Sequence, residues 1–371
     1  MPSATPALRV GIEATSLLGP RTGVGALTAA LVERLAGEES VALTAILVSW
    51  RGRGQLGPEL PAGVATRAVA FPARLAHRLW QHLDWPSVGG LDVIHGPNFV
   101  VPPGAGAAEL VTVHDFGPWH FPELVTHHAR AYPRLVRRAL DRGAHMHVVS
   151  DFVAAEAAEL LGVEPERLHV IHNGFDRGRP GDPDRGRALA GAERYVLALG
   201  TIEPRKDLPT LVAAMAEVWA TEQDMRLVVA GGGGWGTDAF EAALTRWGAG
   251  GRVARLGYVA DDDRSDLLAG ATCLAYPSIY EGFGLPPLEA MAASTPVVTT
   301  TAGALPEVCG DAAALVPPGD SAAMAAAIVE VVTDDTVNRR LVEAGCRRVD
   351  AFSWDRAASE MCALYRDLAE R

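Results

Sequence analysis

Short apolar runs recur along the first half of the chain at residues 8–12, Val41–Val48, 92–95, 109–114, 145–149 and 168–171, with helical segments between them. Runs of this length that are apolar on both faces predict strands of a parallel sheet covered by helices. Residues 26–35 follow a helical period after a glycine-bearing loop, 19–25. A strand, a glycine loop, a helix and a second strand open an α/β nucleotide-type fold. Residues 151–162 predict a helix with Asp151 as its cap and Gly162 as its stop. The pattern breaks at 177–187, RGRPGDPDRGR, which has no apolar period and predicts an interdomain linker. The rhythm then resumes, with strands expected at Tyr195–Leu199, Arg226–Ala230, 253–256, Cys273–Tyr276, 296–299 and Ala313–Val316. Three helical segments close the chain, the last over 353–370.

Two doubly wound domains follow from this rhythm, and the length of 371 residues agrees, being too great for one ordinary core. The expected boundaries are 1–180, a linker at 181–193, 194–352, and a terminal helix in 353–371. With 49% hydrophobic and 21% charged residues, the composition suits a soluble globular chain. Net charge is −12, so the basic footprint of a nucleic-acid binder is absent. All 11 histidines precede residue 173, which sets the two halves apart. Cys273, Cys309, Cys346 and Cys362 have no paired or metal-ligand spacing and read as buried free thiols. Residues 1–8 show no signal-peptide pattern, and no apolar run approaches a membrane span, so a cytoplasmic protein is expected.

Candidate chemistry concentrates in two loops of the second half. After the strand ending at Leu199 comes Gly200-Thr-Ile-Glu203-Pro-Arg205-Lys206-Asp207, then a helix. Arg205 and Lys206 place two cations beside a helix N-terminus, an arrangement suited to a diphosphate. Lys206 is the one lysine among 33 Lys and Arg residues. After Tyr276 comes Tyr280-Glu281-Gly-Phe283-Gly284-Leu285-Pro-Pro-Leu-Glu289, running into a helix at 287–293. Glycines flanking Phe283 let the backbone N–H groups approach a ligand, and the two carboxylates are spaced to grip separate parts of an elongated one.

Taken in order, GTIEPRKDLPTLV, LGYV, YEGFGLPPLEAMA-STPVVTT and LPEVCGDAAALVPPGD resemble the C-terminal domain of the retaining GT-B glycosyltransferases of family 4. TGVGALTAALVERL, VHDFGPW and VVSDF…VIHNGFD resemble the family's N-terminal half, so the likeness spans nearly the whole chain. It implies a GT-B fold, with two Rossmann-like domains facing across a cleft and the last helix returning to the first domain. It implies a nucleoside diphosphate sugar as donor and a glycan or lipid-linked acceptor. Glu289 would bind the ribose and Glu281 the transferred sugar, with backbone of Phe283, Gly284 and Leu285 near sugar and phosphate. Arg205 and Lys206 would neutralise the leaving diphosphate, and Tyr258 and Val259 would line the base. Gly23 and Gly25 would approach the phosphates, and His114 would face the sugar.

Cations aimed at the leaving phosphate do a job that a divalent metal does elsewhere, so no metal and no cofactor are expected. Asp182/Asp184 lie in the linker, and 261–263 read as a solvated helix start. Front-face attack and covalent double displacement both remain open. Within the branch the favoured donor is GDP-mannose, with mannosyl transfer in cell-envelope assembly. A UDP-sugar epimerase of the same fold and a catalytically silent nucleotide-sugar-binding protein are the alternatives. Glu13 and Ala26-Leu27 depart from the family's aspartate and arginine-tyrosine pair on the acceptor side. Arg130, Arg134, Arg137, Arg138 and Arg142 recur at helical spacing on a segment interrupted by Pro133. They read as a solvated basic face or a docking face for the inner membrane surface.

Overall fold

The structure, a computed structural model, describes residues 7–18, 23–50 and 60–371. The chain divides into unit 1, Met1–Gly174 with Ser353–Arg371, and unit 2, Phe175–Phe352. Residues 1–6 of the expected signal-free start and 19–22 of the glycine loop lie outside the described residues.

Unit 1 carries strands β1 (Leu8–Glu13), β2 (Val41–Val48), β3 (Ala65–Val69), β4 (Val88–Gly89), β5 (Val93–Gly96), β6 (Gly104–Ala105), β7 (Ala108–Val113), β8 (His145–Val148) and β9 (Leu168–Val170). β4 and β6 pair only with each other. The other seven form one sheet in the order β3-β2-β1-β5-β7-β8-β9, every pairing parallel. The apolar pattern does not announce β3, because Ala65–Val69 is mostly exposed and lies at the sheet edge. One face of the sheet is covered by the helix Val24–Ala36 together with the last helix, Trp354–Glu370. Trp354, Met361, Leu364, Tyr365 and Leu368 belong to the same core as Val10, Ile12, Leu35 and Leu110.

A directed chain of hydrogen bonds crosses that core. His147 Nε2 lies 2.9 Å from the Ile171 carbonyl, which can only accept, so Nε2 carries the proton. Burial pushes the ring down to about 4, leaving it neutral, and its Nδ1 therefore accepts from the Thr112 hydroxyl at 2.8 Å. Thr112 in turn accepts from His95 Nε2 at 2.6 Å, and His95 Nδ1 accepts from the Tyr365 hydroxyl at 2.7 Å. Burial also holds His95 well below its ordinary value.

In the unfolded chain these histidines take up protons near pH 6.5, whereas in the fold His147 stays neutral until about pH 4 and burial keeps His95 neutral well below its ordinary range. Each thus removes about 1.4 kcal/mol of stability per pH unit as pH falls from 6.5. Glu13 acts the other way. Burial raises its carboxyl to about 7, so its contribution is present below about 4.5 and fades as pH rises to 7. Two histidines outweigh one carboxylate, so the unfolding midpoint of unit 1 should fall steadily from pH 6.5 to 5. A midpoint that stays flat across that interval, followed by circular dichroism, would contradict this.

Unit 2 carries β10 (Tyr195–Leu199), β11 (Arg226–Ala230), β12 (Val253–Gly257), β13 (Cys273–Tyr276), β14 (Val297–Thr300) and β15 (Ala313–Val316). They lie in the order β12-β11-β10-β13-β14-β15, all parallel, and the strand order reverses between β10 and β13. Ligands bind open α/β sheets at such a switch point, outside the carboxyl ends of the strands. Leu211, Met215, Val218, Leu227, Phe240 and Ile328 fill the largest core of this unit.

The expected linker is corrected by the structure. Unit 2 begins at Phe175, so 181–193 falls inside it, and Pro183–Ala190 is a helix. Asp182 caps it, accepting from the Asp184 and Arg185 amides at 3.0 and 3.2 Å. A Cβ on Gly186 would fall 1.9 Å from the Asp266 carbonyl, so this glycine serves close packing of two helices rather than a turn. The arginines that gave the segment its linker-like composition clasp Asp266: Arg179 at 2.7 Å, and Arg185.

Three smaller corrections are local. Ser150, not Asp151, caps Asp151–Leu161, because its hydroxyl accepts from the Val153 amide at 3.2 Å. Pro133 stands in the first turn of Tyr132–Asp141, where its missing N–H costs nothing, so it starts that helix instead of interrupting it. The helix expected at 287–293 spans Leu285–Ala292. Among the described residues no helix is long and apolar enough to cross a membrane.

Candidate active site

The loops after β10 and β13, on either side of the switch point, bring Arg205, Lys206 and Glu281 together. Pro204–Lys206 forms one tight turn, and Asp207, at φ 43°, caps the helix Leu208–Thr221. The Arg205 guanidinium donates to Glu281 Oε2 at 2.6 Å, to the Tyr280 carbonyl at 3.0 Å and to Glu203 Oε1 at 2.8 Å. Lys206 Nζ donates to Glu281 Oε1 at 2.6 Å and to the Tyr276 hydroxyl. The two loops are also joined through the main chain, by the Ile279 amide on the Arg205 carbonyl at 2.9 Å.

Burial alone would raise the Glu281 carboxyl, but Lys206 and Arg205 outweigh it and hold the group down at about 2. For Lys206 the balance differs: burial lowers its affinity for a proton more than Glu281 restores it. With side-chain exposures of 12% for Lys206 and 25% for Arg205, both cations are desolvated yet reachable. Such charges act strongly on an anion, because little water reorganises when it arrives.

Glu289 is placed elsewhere. It projects from Leu285–Ala292 to within 3.5 Å of Arg264, and burial raises its carboxyl. It lines a cleft of about 530 Å³ with Arg177, Arg179, Asp261, Asp262 and Arg264. The two glutamates thus occupy different surroundings, one locked among cations and one beside a roomy cleft. Between them, Gly284 takes a φ of 102° and begins the helix, while Pro286 and Pro287 remove two of its first N–H groups. Those of Gly284 and Leu285 remain. Phe283 is buried edge-on against Phe352, and Tyr258, next to Val259, is exposed.

The remaining candidates lie in unit 1. Gly23, at φ 51°, begins the helix Val24–Ala36, and a Cβ on Gly25 would sit 3.0 Å from the Ser16 carbonyl. His114 Nε2 donates to the Pro97 carbonyl at 2.7 Å, and burial keeps the ring neutral. Its buried Nδ1, an acceptor, has no hydrogen-bond partner among the described residues. Asp115 braces its loop by accepting from the Gly117 amide at 2.8 Å. Of the basic helix, Arg138 pairs with Asp84 and Arg142 with Glu109, leaving Arg130, Arg134 and Arg137 exposed. Among the described residues no group of three or more His, Cys, Asp or Glu is placed to hold a metal ion.

Sequence reasoning missed Tyr276, Glu203 and Arg264. Tyr276 carries the only signal, a phenol ending an otherwise apolar strand.

Residues 193–334 match the family described as glycosyl transferases group 1, and residues 22–179 match glycosyltransferase family 4. The O-antigen chain mannosyltransferase B of Escherichia coli is 30% identical over 82% of this chain and 80% of its own length. A phosphatidyl-myo-inositol mannosyltransferase of Mycobacterium leprae is 36% identical over 49% of each chain, so the match spans about half of that relative. Among solved structures, the sucrose-phosphate synthase of Thermosynechococcus elongatus superposes with a TM-score of 0.75 over 97% of this chain and 99% of its own, at 21% identity. Two parallel α/β units with a cationic cluster at a switch point are those of a GT-B glycosyltransferase. The chain belongs to the family 4 glycosyltransferases.

Proposed function

We propose that this enzyme transfers mannose from GDP-mannose, with retention of configuration, to a glycan or lipid-linked acceptor in cell-envelope assembly. The observation that carries the proposal is the Arg205–Lys206–Glu281 cluster at the switch point of unit 2. In the proposed step the bond from the anomeric carbon to the β-phosphate oxygen breaks, and its electron pair goes to the phosphate beside Arg205 and Lys206. The acceptor hydroxyl oxygen bonds the same carbon, and its proton passes to the departing phosphate. This front-face course is favoured over double displacement because both oxygens of Glu281 are already engaged, which suits a brace better than a nucleophile. The two side-chain cations supply the charge that stabilises the leaving group, so the step as drawn uses no metal.

For the donor, support comes from the cleft beside Glu289. Guanine offers a donor pair at N1 and N2 and an acceptor pair at O6 and N7, which suit a carboxylate and a guanidinium. Asp261 and Arg264 stand at that cleft, 3.0 Å from one another. Three mannosyltransferases among the relatives support mannose as the sugar. In unit 1, the free Nδ1 of His114 is proposed to accept from a sugar hydroxyl, and the helix start at Gly23 and Gly25 to take phosphate. Arg130, Arg134 and Arg137, with Arg74 and Arg78 and the exposed Leu75, Leu83 and Trp85, are proposed to meet an anionic membrane surface.

A panel of GDP-, UDP- and dTDP-hexoses, read by thermal shift and hydrolysis and repeated with anionic vesicles, tests both parts. A ligand at 100 times its Kd should stabilise by about 2.7 kcal/mol. GDP-mannose should give the largest shift, and the protein should sediment with the vesicles. Preference for a UDP-sugar would refute the donor, and failure to sediment would refute the docking face.

A further inference from the structure

Lys206 has two holders of different charge. Glu281 is an anion and cancels the ammonium that it positions, whereas the Tyr276 hydroxyl is neutral and leaves the charge intact. The phenol is well placed to act alone. It accepts from Lys206 Nζ and donates to Glu281 Oε1 at 2.8 Å, closing a triangle of three side chains.

Tyr276 itself cannot wander. It is the last residue of β13, its side chain is buried, and its carbonyl accepts from the Thr299 hydroxyl of the neighbouring strand at 2.8 Å. Burial raises the phenol well above its ordinary value, so it stays protonated throughout the working range of the enzyme.

When a diphosphate approaches, Glu281 and the phosphate compete for the same two cations. We infer that Tyr276 is a positioning residue for glycosyl transfer: its hydroxyl keeps the Lys206 ammonium aimed at the departing phosphate as Glu281 gives up its hold. This rests on the diphosphate role proposed above for Arg205 and Lys206. Tyr276 touches neither donor nor acceptor in this account and acts through Lys206.

The test is Tyr276→Phe, which keeps the ring and removes only the hydroxyl, with Tyr276→Leu removing both. A hydrogen bond to a charged group of this kind corresponds to about a tenfold loss or more. Accordingly kcat in Tyr276→Phe should fall about tenfold while the donor KM changes less than about twofold, and Tyr276→Leu should fall at least as far.

A second readout separates positioning from mere packing. Lys206 is faced by Glu281, Arg205 and Glu203 as well as by the phenol. Removing an oxygen that accepts from the ammonium favours its neutral form, so the alkaline limb of kcat should move to lower pH. Unchanged kcat and an unchanged pH profile, with only a lower melting temperature, would overturn the inference and leave the proposed function standing. Absence of turnover in the parent chain with any sugar nucleotide would overturn both.

Discussion

Lys206→Ala should lower kcat by about 10²- to 10³-fold, corresponding to some 2.7–4 kcal/mol of transition-state stabilisation. The size follows from the surroundings. The ammonium is mostly buried, so an anion meeting it finds a charge that water does not screen. Removing it leaves Arg205 to face the departing diphosphate alone, already shared with Glu281 and Glu203. The fold should survive, because Glu281 keeps Arg205 and the Tyr276 hydroxyl as partners. Lys206→Arg should recover little, since a planar guanidinium does not fit the slot that a point charge fills between Tyr276 and Glu281. Turnover within about threefold of the parent would show that Lys206 does not stabilise the departing diphosphate.

Removal of residues 353–371 should unfold unit 1. The helix Trp354–Glu370 buries Trp354, Met361, Leu364, Tyr365 and Leu368, besides smaller side chains. At about 1.5–3 kcal/mol each, those five side chains are worth roughly 8–15 kcal/mol as an upper bound. That equals the whole stability of an ordinary domain, about 5–15 kcal/mol. Truncation also strips His95 of its Tyr365 partner inside the core. Unit 2 lacks no core element, since its core holds no residue of that helix. Hydrogen exchange on the shortened chain should therefore show lost protection across 7–18, 23–50 and 60–174 with 175–352 preserved. Retained protection in both would show that the helix is dispensable.

The parallel strands were legible in the sequence because burial on both faces leaves short, nearly unbroken apolar runs, and β10, β11, β13 and β15 fall at the residues expected. The cation pair and Glu281 were legible because each sits in a glycine- or proline-marked loop directly after such a run, and Glu289 because it lies on the helix that such a loop runs into. What eluded the pattern was long-range. Gly181 and Gly186 look like breakers, yet they are contact points for the helix Asp261–Gly270. Arg179 and Arg185 look solvated, yet both reach the buried Asp266, more than eighty residues away. Tyr276 looks like core, and only the fold shows its hydroxyl meeting Lys206 and Glu281. Periodicity reports which face is covered; it does not report what a polar tip on that face touches.

The central claim is that the Arg205–Lys206 pair receives the diphosphate of the donor. Calorimetric titration of GDP into the parent protein and into Lys206→Ala tests it most directly. Saturable binding to the parent and at least tenfold weaker binding to the variant are expected, a difference of about 1.4 kcal/mol or more. Equal affinity in the two would contradict it.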